Sequence, residues 1–234
     1  TLWANTGTLT TAGSWSSSGA SDLIQVDATG TLNLGGTFTT SAISGNVTRA
    51  TGSTVNLVNT LDLATGSYDL GAAGNIGSLV LLNNAAVQNG TLLTTNATSA
   101  TLASFANVTF TGVTLGNGTA NSGNVTANNG ADLFIGSGGL DLNAGKITLN
   151  DQGSTTTLTL LGNGTQQLRG SGEVIFGGTS SAGIVRGSAS DSILDIGAGI
   201  LIHGTQSGTV GSAALGLANH GTIDADTVGK TITI

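Results

Sequence analysis

Asp224 and Asp226 stand two positions apart in "TIDADT" (Thr222 to Thr227). On an extended strand, residues i and i+2 project to the same side, which would set the two carboxylates roughly 6–7 Å apart. Glycoside hydrolysis uses carboxylate pairs about 5–10 Å apart, one protonating the leaving oxygen and the other acting as base or nucleophile. Asp191 with Asp195, and Asp132 with Asp141, are the other candidate pairs. The simpler reading of all three is a polar, outward position that keeps a strand solvated, because Thr or Asn fills that position elsewhere in the chain.

Cleavage of an acidic polysaccharide would instead want a cation near calcium-binding carboxylates. Arg169 and Arg186 are expected near each other on adjacent turns of the chain, with Glu173 close in sequence. Glu173 is the only glutamate, and its simpler role is an ion pair with an arginine across a turn, worth ~0–1 kcal/mol. His203 and His220 are the only histidines and lack any HxH or HExxH spacing, so each is expected to be an isolated exposed or capping side chain. "GSGGLDL" (Gly136 to Leu142) has only the flavour of a calcium-binding nonapeptide, and no Gly-X-Gly string leads into a helix as a phosphate loop would. Asn-X-Thr triplets begin at Asn46, Asn89, Asn96, Asn107, Asn117, Asn124 and Asn163, as a chain rich in both residues produces by chance. Threonine pairs such as Thr8 with Thr10, Thr37 with Thr39, Thr155 with Thr157 and Thr159, and Thr231 with Thr233 could form an ice-binding face if stacked in register. Their uneven spacing favours plain β-propensity. These residues assign no catalytic, cofactor-binding or metal site, and the chain is not expected to be an enzyme.

Composition limits what can position such groups. Charged residues make up 7% of 234, against roughly 25% in ordinary soluble proteins. There are 39 glycines and no Pro, Cys or Met. Hydrophobic residues at 38% and a positive mean hydropathy argue against disorder, which couples low hydrophobicity to high net charge. Thr, Ser, Asn, Gly and Val are weak helix formers, leaving strands joined by Gly/Asn turns. A net charge of −7 with five scattered cations, Arg49, Lys146, Arg169, Arg186 and Lys230, cannot build a phosphate-neutralising patch. Nucleic acid and anionic membrane surfaces are therefore not expected partners. No apolar run approaches the ~20 residues of a membrane helix, and one Tyr and two Trp make no aromatic girdle for a membrane barrel. With no initiator Met, the chain reads as a processed product or an excised segment. With no disulfides available, a long hydrogen-bonded ladder is the expected source of robustness.

Short alternating cassettes recur: "TLNL" at Thr31, "TVNL" at Thr54, "TLDL" at Thr60, "SYDL" at Ser67, "NVTF" at Asn107, "GVTL" at Gly112, "GLDL" at Gly139, "KITL" at Lys146 and "TLTL" at Thr157. Each turns two apolar residues to one side of a strand and a polar one to the other. The step from Leu61 to Tyr68 is 7, from Val108 to Val113 is 5, from Leu32 to Val55 is 23 and from Leu133 to Leu158 is 25. An antiparallel sandwich spaces its strands at about 8–12 residues, so the shorter spacings suit two-to-four-residue strands separated by corners. The longer spacings suit stacked coils. The expectation is an all-β, right-handed parallel β-helix, a single β-solenoid domain over 1–234 with roughly ten coils of about 20–25 residues, making a rod roughly 50 Å long. Asn-Gly at Asn89, Asn117, Asn129 and Asn163 is the competing hairpin signal, though Asn and Gly serve solenoid corners equally well. Irregular corners or an extruding loop are expected where alternation blurs, at Leu81 to Leu93 and Ala97 to Phe110. Trp3 and Trp15 are expected to pack over an open coil end, the latter within a polar turn at Thr11 to Asp22. A glycan-stacking platform is the alternative role for this Trp pair.

This texture resembles the right-handed parallel β-helix passenger and stalk regions of bacterial autotransporter and filamentous-haemagglutinin-like surface proteins. The parts most similar to their repeats are "GNGTQQLRGSGEVIFGG" (Gly162 to Gly178) and "NHGTIDADTVGKTITI" (Asn219 to Ile234). The resemblance implies an extracellular or cell-surface location and an adhesive or structural role, and it brings no catalytic residue with it. Asn5 to Leu9 and Asn219 to Ile223 share the pattern Asn-X-Gly-Thr-aliphatic, which suggests continuation of the coils or end-to-end self-association into a filament. The expected role is thus a structural stalk, fibre or adhesin scaffold, with a surface glycan or host matrix component as a possible ligand. The alternatives are a polysaccharide-binding or -cleaving β-helix and, more remotely, an ice-binding threonine ladder.

Overall fold

The computed structural model describes residues 1–16, 23–188, 190–212 and 215–234. Every strand pairing is parallel, and the chain winds as a β-solenoid of roughly ten turns with three faces. The first face is a ladder of ten rungs. It runs through Thr8–Thr10, Thr31–Leu34, Thr54–Leu57, Leu79–Leu81, Ala100–Leu102 and Asn124–Asn128 to residues 146–151, 173–178, Gly199–Gly204 and Thr222–Ile223. The second face runs from Thr37–Thr39 to Ile232–Thr233. Leu32 pairs with Val55 and Leu133 with Leu158, the two long recurrences of the sequence.

Alternation within each cassette makes the core. On the first face Leu34, Leu57, Leu81, Leu102, Ala127, Leu149, Phe176 and Gly204 lie in one unbroken inward column. All but Gly204 have at most 1% of their surface exposed. On the second face Phe38, Leu61, Val87, Phe110, Ile135 and Leu160 do the same. Volume is traded between neighbours. A Cβ on Gly208 would lie 2.5 Å from the Phe176 ring, and one on Gly183 would lie 2.7 Å from it, so the largest side chain of these coils fits because its neighbours have none.

The third face has two parts. Leu2–Ala4, Ile24–Val26 and Val47–Arg49 form one sheet, and a second ladder starts at Ser67–Asp69 and continues through Thr91–Leu93. Between them residues 70–78 form a turn rather than a strand. Arg49 ties this turn to the corner before Thr54–Leu57: its guanidinium donates to the carbonyls of Ile76 (2.8 Å) and Ser78 (2.5 Å) in the one and of Ser53 (2.8 Å) in the other. Tyr68, the largest fully buried side chain, donates its hydroxyl to the Ile43 carbonyl at 2.9 Å, satisfying a polar group that the core would otherwise strand.

The Asn-Gly pairs turn corners instead of hairpins. Asn89 (φ 59°) and Gly90 (φ 149°) bend the chain between the second and third faces within Ala86–Leu93, and Gly118, Gly130 and Gly164 likewise have positive φ. A type I′ hairpin would reverse the chain, but each inward cassette gains more by pairing with the matching cassette one coil on, where its aliphatic column continues. Of the two readings of the blurred stretches, irregular corners and not an extruding loop are found: Ala86–Leu93, Ala100–Leu102 and Asn107–Leu115 are strands, and the corners between them have positive φ at Asn84, Asn96, Ala97 and Phe105. The polar turn expected at Thr11 to Asp22 lies partly outside the described residues. Trp15 stacks on Phe38 with ring centroids 4.6 Å apart, as expected at an open coil end. Trp3 differs: it faces outward, 55% exposed, with its indole N–H donating to Asp27 at 2.9 Å. Its position between inward-facing Leu2 and Ala4 dictates that direction. Among the described residues no helix is long and apolar enough to cross a membrane.

Candidate functional site

Charged residues collect on the C-terminal coils, in two lines running along the solenoid. On the first face the strand register sets Lys146 opposite Glu173, and Lys146 Nζ lies 3.2 Å from Glu173 Oε1. One coil further, His203 projects from Gly199–Gly204 with Nε2 3.3 Å from Glu173 Oε2 and Nδ1 3.0 Å from Asp226 Oδ2. Four side chains from four successive coils thus form a continuous line of ammonium, carboxylate, imidazole and carboxylate. Hydrogen bonding to His203, strengthened by its charge, holds the Asp226 carboxyl below the usual carboxylate range.

The second line lies on the third face. Arg169 Nε sits 3.6 Å from Asp141 Oδ2, and Arg169 Nη1 donates to Gln167 Oε1 at 3.3 Å. Gln167 donates to Asp195 Oδ2 at 3.2 Å, and His220 Nε2 lies 3.8 Å from Asp195 Oδ1. That last separation exceeds a hydrogen bond, so Asp195 Oδ1 is buried with no hydrogen-bond partner.

This placement corrects several readings of the sequence. Asp224 continues the first-face ladder, donating its N–H to the Ile202 carbonyl, but the chain leaves the strand there and Asp226 turns to His203. Asp191 occupies the turn before Ser192–Ile196 while Asp195 lies in the strand. Asp132 is on the second face, accepting the Thr157 hydroxyl, and Asp141 is on the third. Arg169 and Arg186 are likewise on different faces, because the interval between them is shorter than one coil. Glu173 pairs with Lys146 and His203, not with an arginine. His203 is not isolated; His220, at 68% side-chain exposure, is close to the expected exposed residue.

Both imidazole nitrogens of His203 face carboxylates, and the Lys146–Glu173 ion pair closes the line. Among the described residues no cluster of three or more His, Asp or Glu is arranged to hold a metal ion. The threonines form local columns, Thr8–Thr31–Thr54 in one outward row and Thr101–Thr126–Thr148 in another, whose preceding rungs are Asn33, Asn56 and Val80. Thr157 and Thr159 are buried rather than solvated. Comparison with protein-family models, curated proteins and solved structures returned no match.

Proposed function

We propose that the chain is a structural segment of a secreted or cell-surface bacterial protein, acting as a stalk, fibre or adhesin scaffold. The observation carrying this reading is the ten-rung first-face ladder: a rod whose length grows by adding coils, each needing only its neighbours. Its charge-poor surface and the resemblance to bacterial surface-protein repeats support the same role. Thr8–Leu9 and Thr222–Ile223 occupy the outermost rungs of the same face, and their shared motif supports addition of further rungs, from one chain or a second copy.

Two experiments test the reading. Electron microscopy of the purified chain should show rods about 50 Å long that add end to end as concentration rises; compact round particles would contradict it. Antibodies against the chain should label intact cells of the source, whereas labelling only after lysis would contradict surface placement.

A further inference from the structure

Four of the five cations are engaged within the molecule. Arg49 binds turn carbonyls, Lys146 pairs with Glu173, Arg169 pairs with Asp141, and Lys230 Nζ donates to Gln206 Oε1 at 2.6 Å. The guanidinium of Arg186 has neither hydrogen bond nor ion pair among the described residues. It also borders a cavity of about 410 Å³. An unpaired, always-charged fork beside a cavity in a chain this poor in cations needs a use.

The strand register arranges what lies beside it. Phe134 pairs with Thr159 and Thr159 with Arg186, so ring, hydroxyl and guanidinium occupy one column of the second face, one per rung. At ~4.8 Å between rungs the column spans roughly 10 Å. Thr159, 3% exposed, forms the floor. The adjoining corners supply the hydroxyls of Ser188, Ser190 and Ser212, and Leu215 adds a second apolar wall. Ser188 Oγ accepts the Gly162 N–H at 3.3 Å, leaving its own proton to donate.

We propose that this cavity binds a carboxylate-bearing pyranose, a uronic acid unit of an acidic glycan. The Arg186 fork takes the carboxylate in two parallel charge-assisted bonds. The C–H face of the sugar ring lies against Phe134 and Leu215, and the serines meet the ring hydroxyls. A bare inorganic anion would use the guanidinium but leave the apolar walls unfilled, and a neutral sugar would leave the guanidinium unpaired. The cavity volume falls within the few hundred Å³ usual for small-ligand sites. This assignment is independent of the scaffold role: a rod with or without the site has the same ladder.

The test is an amide NMR titration of the full chain with trigalacturonate, with cellotriose, inorganic sulfate and an acidic tripeptide as comparison probes. Saturable shifts at Phe134, Arg186 and Ser188 are expected with trigalacturonate, and at least tenfold weaker binding with each other probe. Arg186→Gln should weaken trigalacturonate binding by roughly ten- to a hundredfold, the scale of one charge-assisted contact, and Phe134→Ala severalfold. Arg186→Lys, which keeps charge but loses the fork, should fall between, and unchanged far-ultraviolet dichroism should verify each fold. The proposal is overturned by absence of saturable binding, by unaltered binding in folded Arg186→Gln, or by any comparison probe binding as tightly. The tripeptide result would point to a peptide site instead.

Discussion

The hydroxyl of Tyr68 donates to the carbonyl of Ile43 at 2.9 Å, at the break between the two sheets of the third face. The same oxygen accepts the Ile76 N–H at 3.4 Å, so one phenol joins the short helical turn at Thr40–Ala42 to the turn at 70–78. Burial pushes this phenol well above its ordinary pKa, although the Ile76 N–H opposes the shift, and it stays protonated as a donor. Tyr68→Phe is expected to destabilise by about 1–3 kcal/mol, the cost of an unmade buried hydrogen bond, and Tyr68→Ala by about 3–5 kcal/mol through the added cavity. Urea denaturation measures both.

Phe176 and Gly208 are expected to be energetically coupled. Gly208→Ala drives a methyl into the Phe176 ring and should cost about 1–3 kcal/mol. In a Phe176→Leu background the same substitution should cost measurably less, and a double-mutant cycle reads the difference. Equal costs in the two backgrounds would mean that the ring does not set the spacing of these coils.

Acid should weaken the fold. Hydrogen bonds from Gln25 and Trp3 lower the pKa of Asp27, and the Ala64 N–H leads the lowering at Asp62. Burial raises Asp69, but the Thr95 hydroxyl, the Thr95 N–H and the Gly71 N–H together outweigh it and lower the net value. With Asp226 these groups bind protons more readily unfolded than folded. Their contribution is therefore complete above the usual carboxylate pKa of about 4 and is lost as pH falls through the folded values. Thermal midpoints should be level from neutral pH down to that range and then drop, and Asp69→Asn should flatten the drop. Stability that rises on acidification would contradict this.

The ion-pair line on the first face should contribute little to stability. Lys146 and Glu173 are about a third exposed, and pairs of that kind give ~0–1 kcal/mol. Glu173→Gln is expected to change unfolding free energy by no more than about 1 kcal/mol, and added salt to change the wild-type midpoint little. A large loss would make the charge line, rather than the aliphatic columns, the support of the C-terminal coils.

What the sequence disclosed and what it withheld have the same physical origin. Period-two cassettes and a narrow core determine which side chains point inward, so Leu32 with Val55 and Leu133 with Leu158 could be recognised as stacked neighbours from spacing alone. Outward residues obey no such constraint. Coil length varies: the coil joining Leu79 to its partner Ala100 is markedly shorter than the one joining Val174 to Ile202. No fixed period therefore finds Lys146, Glu173, His203 and Asp226 together. The same variation hid the alignment of Phe134 with Arg186, remote in sequence but only two rungs away.

The central claim is that successive coils lie in parallel register, and spin-label distances test it most directly. The chain has no cysteine, so single thiols can be introduced in pairs along the outward row Asn33, Asn56, Val80, Thr101, Thr126, Thr148, Ile175 and His203. Electron–electron resonance should give about 24 Å for labels at positions 33 and 148, five rungs apart, and about 34 Å for 33 and 203, seven rungs apart. Distances that grow in proportion to rung number support the solenoid. Distances that fail to grow, or that shorten between the remoter pair, would show neighbouring strands arranged some other way and would remove the basis for the scaffold role.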